Sequence, residues 1–368
     1  MPSTRHVLGI SGGKDSAALA IYMSRKYPHL DIEYYTCDTG KELDETYELI
    51  TNLENYLGKP IIRLRAAEKS TQDPFDHYLQ LYGGYLPSSN SRWCTKKLKL
   101  EPFEKFVGND PVISYVGIRG DEDREGYISK KTNIQSIFPF RKNIWSEDVV
   151  KKVFSNANFD AINDLYKKIA VTDSNERFLE ILSKQISFSF PLSEKLNLLL
   201  HIDTRLFNKL VFLYLKQTDY PLAQERDFAL LDNEEVLVRE DIFRLLEESG
   251  VGVPAYYNKC DFTVNDKKGQ YSRSRSGCYF CFYQQKIEWI WLYEQHPERF
   301  AKAMDYEKDG YTWNDGETLQ DMIQPIRMQT IKEDYIKRIN RNTQKTKSQY
   351  LLDILDDAEG EGCAACFI

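Results

Sequence analysis

The chain has 368 residues, 42% of them hydrophobic and 29% charged, with a formal net charge of −7. That composition is ordinary for a water-soluble globular protein, and no apolar run approaches the roughly 20 residues that a membrane-spanning helix requires. The net charge excludes wholesale electrostatic capture of nucleic acid, although it leaves room for a local basic groove.

In chain order, RHVLGIS (5–11) reads as a buried strand entered so early that no signal peptide fits, which points to a cytoplasmic protein. A Gly-rich turn follows at once, and DSAALAIYMSRKY has the composition of a helix ending before Pro28. IEYYTCDTG (32–40) reads as a second strand closing on a glycine turn. ELDETYELITNLENYLG (42–58) reads as a helix, acidic at its start, with Gly58 near its C-cap. PIIRLRA and PVISYVGIRG are two further strands with a mostly helical segment between them. Strands alternating with helices predict a doubly wound, mostly parallel α/β sheet over residues 1–149. Residues 150–238 carry helical periodicity and one short β signal, SFSFPL, and are expected to form a helical insertion, either a lid or a partner surface. A cysteine-cluster segment packed on the α/β domain is expected over 239–330, and a basic helix with a flexible Cys-containing tail over 331–368.

Ligands of open α/β sheets bind beyond the carboxyl ends of the strands. SGGKDS (11–16), CDTG (37–40) and GIRGDEDREG (117–126) all fall at such ends. Small residues let backbone N–H groups approach an anion, and the helix that follows adds its positive dipole end. The nucleotide-binding set read from these stretches is Ser11, Gly12, Gly13, Lys14, Asp15 and Ser16, with Asp38, Arg119 and Arg124. Lys14 supplies a point charge, and Ser11 and Ser16 supply hydroxyls. Asp15 cannot bind phosphate directly, so it is expected beside Mg²⁺ or as a helix N-cap. Arg119 and Arg124 flank an acidic turn and suit phosphate or sulfate oxygens. Asp38 suits ribose hydroxyls or a metal. Lys14, Asp15 and Arg119 are the catalytic candidates. The spacing is not that of a P-loop.

Of seven cysteines, Cys278 and Cys281 stand at metal-ligand spacing in GCYFC, with Cys260 upstream and Cys94 in the sheet domain. Four such thiolates suit zinc or a [4Fe–4S] cluster, and spacing does not separate the two. A two-cysteine redox pair is a third option. Lys96, Lys97 and Lys99 surround Cys94 and are expected to favour its thiolate. Cys37 reads as core, and Cys363 and Cys366 lie in the tail.

The Gly-rich turn resembles the PP-loop of the adenine nucleotide alpha hydrolases, which include ATP pyrophosphatases and PAPS reductases. CDTGKELDETYELI, SRWCTKKLKLEPF, VGIRGDEDREGY and IWSEDV are similar to segments of the PAPS reductase family. The likeness covers residues 6–149 and 236–290. The four cysteines resemble the [4Fe–4S] set of DNA phosphorothioation sulfurtransferases in that family. They depart from sulfonucleotide reductases with a Cys-Cys pair, because Trp93 precedes Cys94. The E-C-G-L-H ending of PAPS reductases is also absent. The resemblance implies an enzyme using ATP with Mg²⁺ to adenylate an acceptor, releasing pyrophosphate, with Cys94, Cys260, Cys278 and Cys281 holding a [4Fe–4S] cluster, zinc being the alternative. Nucleic acid is one acceptor class, favoured by Arg273, Arg275 and the basic stretch 331–350, although that stretch reads first as a solvated helix face. A desulfurase-type sulfur donor or complex subunits are the implied partners. A role in DNA modification or phage defence follows by analogy alone. The alternative readings are a PAPS or sulfonucleotide reductase, and a non-catalytic nucleotide-binding subunit of a complex.

Overall fold

The computed structural model describes residues 4–122, 129, 131–169, 175–308 and 310–344. β1 (Arg5–Gly9) leads into α1 (Lys14–Lys26), whose first ten residues, Lys14 to Met23, are all buried. β2 (Ile32–Asp38) follows, then α2 (Asp44–Leu57), which buries Thr46, Leu49, Ile50 and Leu53. That spacing is one helical face. Gly58 ends α2 in the left-handed conformation, as its position in the sequence predicts. β3 (Ile61–Arg65) and α3 (Pro74–Leu81) come next. A helical run is then built from α4 (Trp93–Thr95), a π-helical turn over Lys96–Leu100, and α5 (Glu101–Val107). β4 (Val112–Tyr115) and β5 (Ile134–Ile137) complete the sheet.

All five strands are parallel, in the order β3-β2-β1-β4-β5. This is the expected doubly wound α/β sheet. The chain reverses its direction of travel across the sheet between β1 and β4, which makes their carboxyl ends the switch-point crevice. β5, reading IQSI, is a strand the sequence did not announce, because Gln135 and Ser136 break the apolar run.

β5 is followed by a run of helices, α6 (Glu147–Val153), α7 (Phe159–Ile169), α8 (Glu176–Leu182), α9 (Leu192–Ile202) and α10 (Thr204–Leu215). They share one apolar core with the sheet and α1, joining Leu8 and Ile21 to Trp145, Phe207 and Leu210. Asn233, fully buried, ties this layer to α1. It accepts from the Tyr22 hydroxyl (2.9 Å) and Lys26 Nζ (3.1 Å) and donates to the Pro139 carbonyl (2.8 Å).

α11 (Arg239–Ser249) packs beside α1. A hairpin of β6 (Cys260–Val264) and β7 (Lys267–Tyr271) follows. Its two-residue turn holds Asn265 and Asp266 at φ 44° and 58°, the backbone that such turns demand. Four helices close the described chain: α12 (Lys286–Gln295), α13 (Pro297–Met304), α14 (Leu319–Met322) and α15 (Pro325–Gln344). They surround a second, aromatic core in which Phe280 stacks on Trp313 at 4.9 Å and meets Phe75 from α3 at 4.5 Å. Among the described residues no helix is long and apolar enough to cross a membrane.

Candidate functional site

The loop between β1 and α1 is held in shape by its own hydroxyls. The Ser11 backbone N–H donates to Ser16 Oγ (3.1 Å), and Ser16 Oγ donates to the Gly13 carbonyl (3.2 Å). Gly12 sits at φ 72°, and a Cβ there would stand 2.2 Å from Thr46 Cγ2 of α2. Only glycine meets both demands. A Cβ on Gly13 would meet Ser276 Oγ at 2.5 Å, so the C-terminal segment also presses on this loop.

The structure brings Lys14, Asp15 and Arg119 together across the switch point. Lys14 Nζ lies 2.9 Å from Asp15 Oδ2, and Arg119 Nη1 lies 2.7 Å from Asp15 Oδ1. Arg119 also reaches Asp121 (2.8 Å) and Glu122 (2.8 Å). Burial alone would raise the Asp15 carboxyl, but Lys14 and Arg119 reverse the sign and hold it below its usual range. Burial lowers the Lys14 ammonium, with Asp15 opposing, while the Arg119 guanidinium overcomes its own burial through Asp15 and Glu122 and is raised. Asp15 is not an N-cap. Gly13 occupies that position and the carboxylate is committed to the two cations. Arg124 lies outside the described residues.

Asp38, at the end of β2, lines the cavity that also holds Ser11, Thr46, Tyr47 and Lys99. Its Oδ1 accepts from the Gly40 N–H (2.9 Å) and lies 3.0 Å from the Tyr47 hydroxyl. The same hydroxyl is 3.0 Å from Glu42 Oε2, and its single proton serves one carboxyl at a time. Burial, with Asp38 adding to it, raises the Glu42 carboxyl.

A second cavity, of about 40 Å³, is lined by Cys94, Cys278 and Cys281 together with Thr39, Phe280 and Tyr283. Lys99 and Gly277 line both cavities. Contact is direct as well, since Thr39 Oγ1 lies 3.2 Å from Cys278 Sγ. Cys260 is not on this lining. It sits on β6, its Sγ 3.8 Å from the Asn258 carbonyl. Three thiols around one cavity suit a thiolate-held metal group in donor chemistry. As they stand, the described residues include no group of three or more His, Cys, Asp or Glu side chains arranged to hold a metal ion. The lysines do not win at Cys94: burial, reinforced by Cys281, pushes its thiol up to about 12, with Lys99 opposing only in part. Lys97 pairs instead with Glu101 at 2.7 Å. Cys37 is core, packed with Val7, Tyr35 and Phe103.

Arg273 is not the surface residue a nucleic-acid contact needs. It is 1% exposed, donates to the Cys278 carbonyl (3.0 Å) and lies over the Tyr256 ring (5.8 Å). The basic stretch from 331 begins within α15, where Lys332 pairs with Glu294 at 2.6 Å and Lys337 with Asp334 at 3.0 Å. Cys363 and Cys366 lie outside the described residues.

Sequence reasoning missed Tyr256 and Tyr257. Tyr256 donates to the Gly12 carbonyl (2.9 Å), and Tyr257 accepts the Lys14 backbone N–H at 3.5 Å. No local pattern signals a contact across more than two hundred residues. Glu42 was within reach, because it stands in the quoted CDTGKE segment.

Known proteins resemble this chain over its sheet. Residues 5–169 match the phosphoadenosine phosphosulfate reductase domain profile. An uncharacterized protein of Methanocaldococcus jannaschii is 34% identical over 153 residues, which is 38% of this chain and 30% of its own length. A second from the same organism is 25% identical over 162 residues, 41% of this chain and 37% of its own. The chain thus spans about a third of the length of the curated relatives it matches. A solved phosphoadenylyl-sulfate (PAPS) reductase from Candida auris, in a phosphate complex, is 18% identical over 51% of this chain and 81% of that one, at a TM-score of 0.29. A parallel sheet of order β3-β2-β1-β4-β5, with the β1–α1 loop at its switch point, lies within residues 5–169, the part of the chain that is similar to the phosphoadenosine phosphosulfate reductase domain family.

Proposed function

We propose that the chain is an ATP-dependent sulfurtransferase that adenylates an acceptor, on a nucleic acid in the fullest form of the reading. The observation that carries this is that Lys99 and Gly277 line two cavities, one with Ser11 and Asp38 and the other with three thiols. The loop's N–H groups, Lys14 and the α1 dipole bind the β- and γ-phosphates of ATP. Asp15, held between Lys14 and Arg119, is the loop carboxylate that would stand beside Mg²⁺, which would offset part of the triphosphate's negative charge when bound. An acceptor oxygen attacks the α-phosphorus, and the bond to pyrophosphate breaks with its electron pair leaving on pyrophosphate. Fixed positive charge at the loop stabilises that departure. A sulfur nucleophile, delivered by a desulfurase-type partner or another complex subunit, then displaces AMP from the acceptor.

Cys94, Cys278 and Cys281 are the residues that would hold a [4Fe–4S] cluster, with Cys260 the fourth thiol in sequence. Such a group supplies sulfur activation or electrons when bound. Zinc is the alternative occupant of the same thiols.

A second reading, sulfonucleotide reduction, is supported by the family match over residues 5–169. There a thiol attacks the sulfur of PAPS, releasing adenosine 3′,5′-bisphosphate, and a second thiol frees sulfite as a disulfide forms. Cys278 and Cys281 line one cavity and supply such a pair.

Competition between Mg-ATP and PAPS on anaerobically purified protein separates the readings. Tighter ATP binding that is lost in Lys14→Ala supports the sulfurtransferase. Preference for PAPS overturns it.

A further inference from the structure

A groove of about 700 Å³ runs along β3, the edge strand, and over the start of α5. Its lining carries five cations, Arg63, Arg65, Lys69, Lys97 and Lys105, against two carboxylates, Glu68 and Glu101. In a chain of net charge −7 this is a local reversal of sign.

Four of the five cations rest on carboxylates: Arg63 on Glu54 (3.2 Å), Arg65 on Asp73 (3.3 Å), Lys97 on Glu101 (2.7 Å) and Lys105 on Glu68 (2.9 Å). Arg63, Arg65 and Lys105 have side chains 44%, 48% and 75% exposed, so these pairs are solvated and cheap to exchange. Phosphate oxygens offer the guanidinium groups the same bidentate geometry as a carboxylate. Aromatic surface lies among the charges: the Tyr78 ring, with Lys97 Nζ 5.9 Å from its centroid, stands edge to face with His77 at 5.2 Å. Alternating cations and π-surface along a groove is how proteins track a single strand without reading its sequence. Arg63 lines both this groove and the small cavity that holds Ser11 and Asp38.

We infer that the β3 groove binds the phosphate backbone of a single-stranded nucleic acid and leads it toward the carboxyl edge of the sheet. This deepens the sulfurtransferase reading by locating its acceptor. It moves the nucleic-acid surface from the basic C-terminal helix and Arg273 to the β3 edge of the sheet.

The test is fluorescence anisotropy of a short labelled oligothymidylate, titrated between about 50 mM and about 200 mM salt. The wild-type chain binds it with a steep salt dependence. The variant Arg65→Ser/Lys69→Ser/Lys105→Ser binds at least about tenfold more weakly, and its log–log salt slope is shallower by about 2, at about 0.7 per lost phosphate contact. Unchanged Mg-ATP affinity and thermal midpoint show that the variant is folded, and the conservative Arg65→Lys/Lys69→Arg keeps most of the binding. No oligonucleotide binding by the wild type, or equal affinity and slope in the triple variant, overturns the inference. So does equal displacement of the probe by polyglutamate of matched charge, which would make the groove a docking site for acidic protein. Binding is read without turnover, so a chain that binds oligonucleotide but not ATP sinks the proposed chemistry alone, and the converse sinks this inference alone.

Discussion

Tyr257 stands against the phosphate loop from more than two hundred residues away. Its hydroxyl lies 3.5 Å from the Lys14 backbone nitrogen and its ring centroid 5.0 Å from the Lys14 ammonium. The backbone N–H it meets is one of those a bound phosphate would claim at the start of α1. The long distance marks a contact ready to be exchanged. Once released, the hydroxyl is free to donate to the incoming phosphate, so Tyr257→Phe is expected to weaken Mg-ATP binding by about 3- to 10-fold, the worth of one hydrogen bond of about 0.5–1.5 kcal/mol. Calorimetric titration measures it, and an unchanged dissociation constant removes Tyr257 from the site.

Arg119 is the second partner of a buried carboxylate. Arg119→Leu leaves Asp15 with Lys14 alone and is expected to cost about 3 kcal/mol in urea unfolding. Arg119→Lys recovers little of this, since one ammonium cannot reproduce a fork that reaches Asp15, Asp121 and Glu122 together. Full recovery by lysine would mean that charge alone, without geometry, holds the loop.

Gly12→Ala meets two obstacles, a left-handed backbone and a Cβ 2.2 Å from Thr46 Cγ2. A loss of about 2 kcal/mol or more is expected. Thr46→Ser removes the clashing methyl but leaves the dihedral, so the double variant recovers only part of that loss. A double-mutant cycle with no coupling would show that the steric contact is unimportant.

Lys195 gives the fold a pH dependence. Its ammonium is buried, donates to the Leu182 carbonyl (2.8 Å) and the Lys184 carbonyl (2.6 Å), and is pushed by burial from 10.5 down to about 8. Below about 8 both folded and unfolded chains hold the proton, and the cost of burying the charge is present in full. Between about 8 and 10.5 the folded chain releases a proton that the unfolded chain keeps, so stability rises with pH. A neutral amine still has two N–H groups for the two carbonyls. Urea midpoints across this range should rise, and Lys195→Met should flatten that contribution. A slope unchanged in the variant would assign the effect to another group.

Iron and acid-labile sulfide on anaerobically prepared protein test the thiols. Cys94→Ser, Cys278→Ser and Cys281→Ser are each expected to lose most of the metal, because they share one cavity. Cys260→Ser, on the hairpin, is expected to lose less. Equal loss in all four would place Cys260 in the same ligand set, and a colourless zinc protein would replace the cluster altogether.

The first four strands were legible because each is an apolar run closed by a glycine, proline or polar turn. β5 was not, since Gln135 spends its side chain on the Leu222 N–H (3.1 Å) inside the protein, where the sequence shows only a polar residue. The hairpin around Asn265 and Asp266 left a weak signal in an alternating stretch, DFTVNDKKGQY, that lacks the usual Asn-Gly or Asp-Gly turn. Lys14, Asp15 and Arg119 could be gathered from two of the three polar loops at one sheet edge. Arg273 misled, because charge in a sequence says nothing of burial, and here the guanidinium serves a carbonyl and a ring. The tyrosines that clasp the loop belong to tertiary packing, which no spacing rule reaches.

The core that runs from Leu8 to Val251 has a consequence for synthesis. The family match ends at residue 169, yet α1 packs against α11 and its loop is clasped by Tyr256. As the chain leaves the ribosome, the β1–α1 loop emerges more than two hundred residues ahead of the tyrosines that complete its surroundings. Until residue 257 is free, a nascent chain carries the complete motif without the complete site.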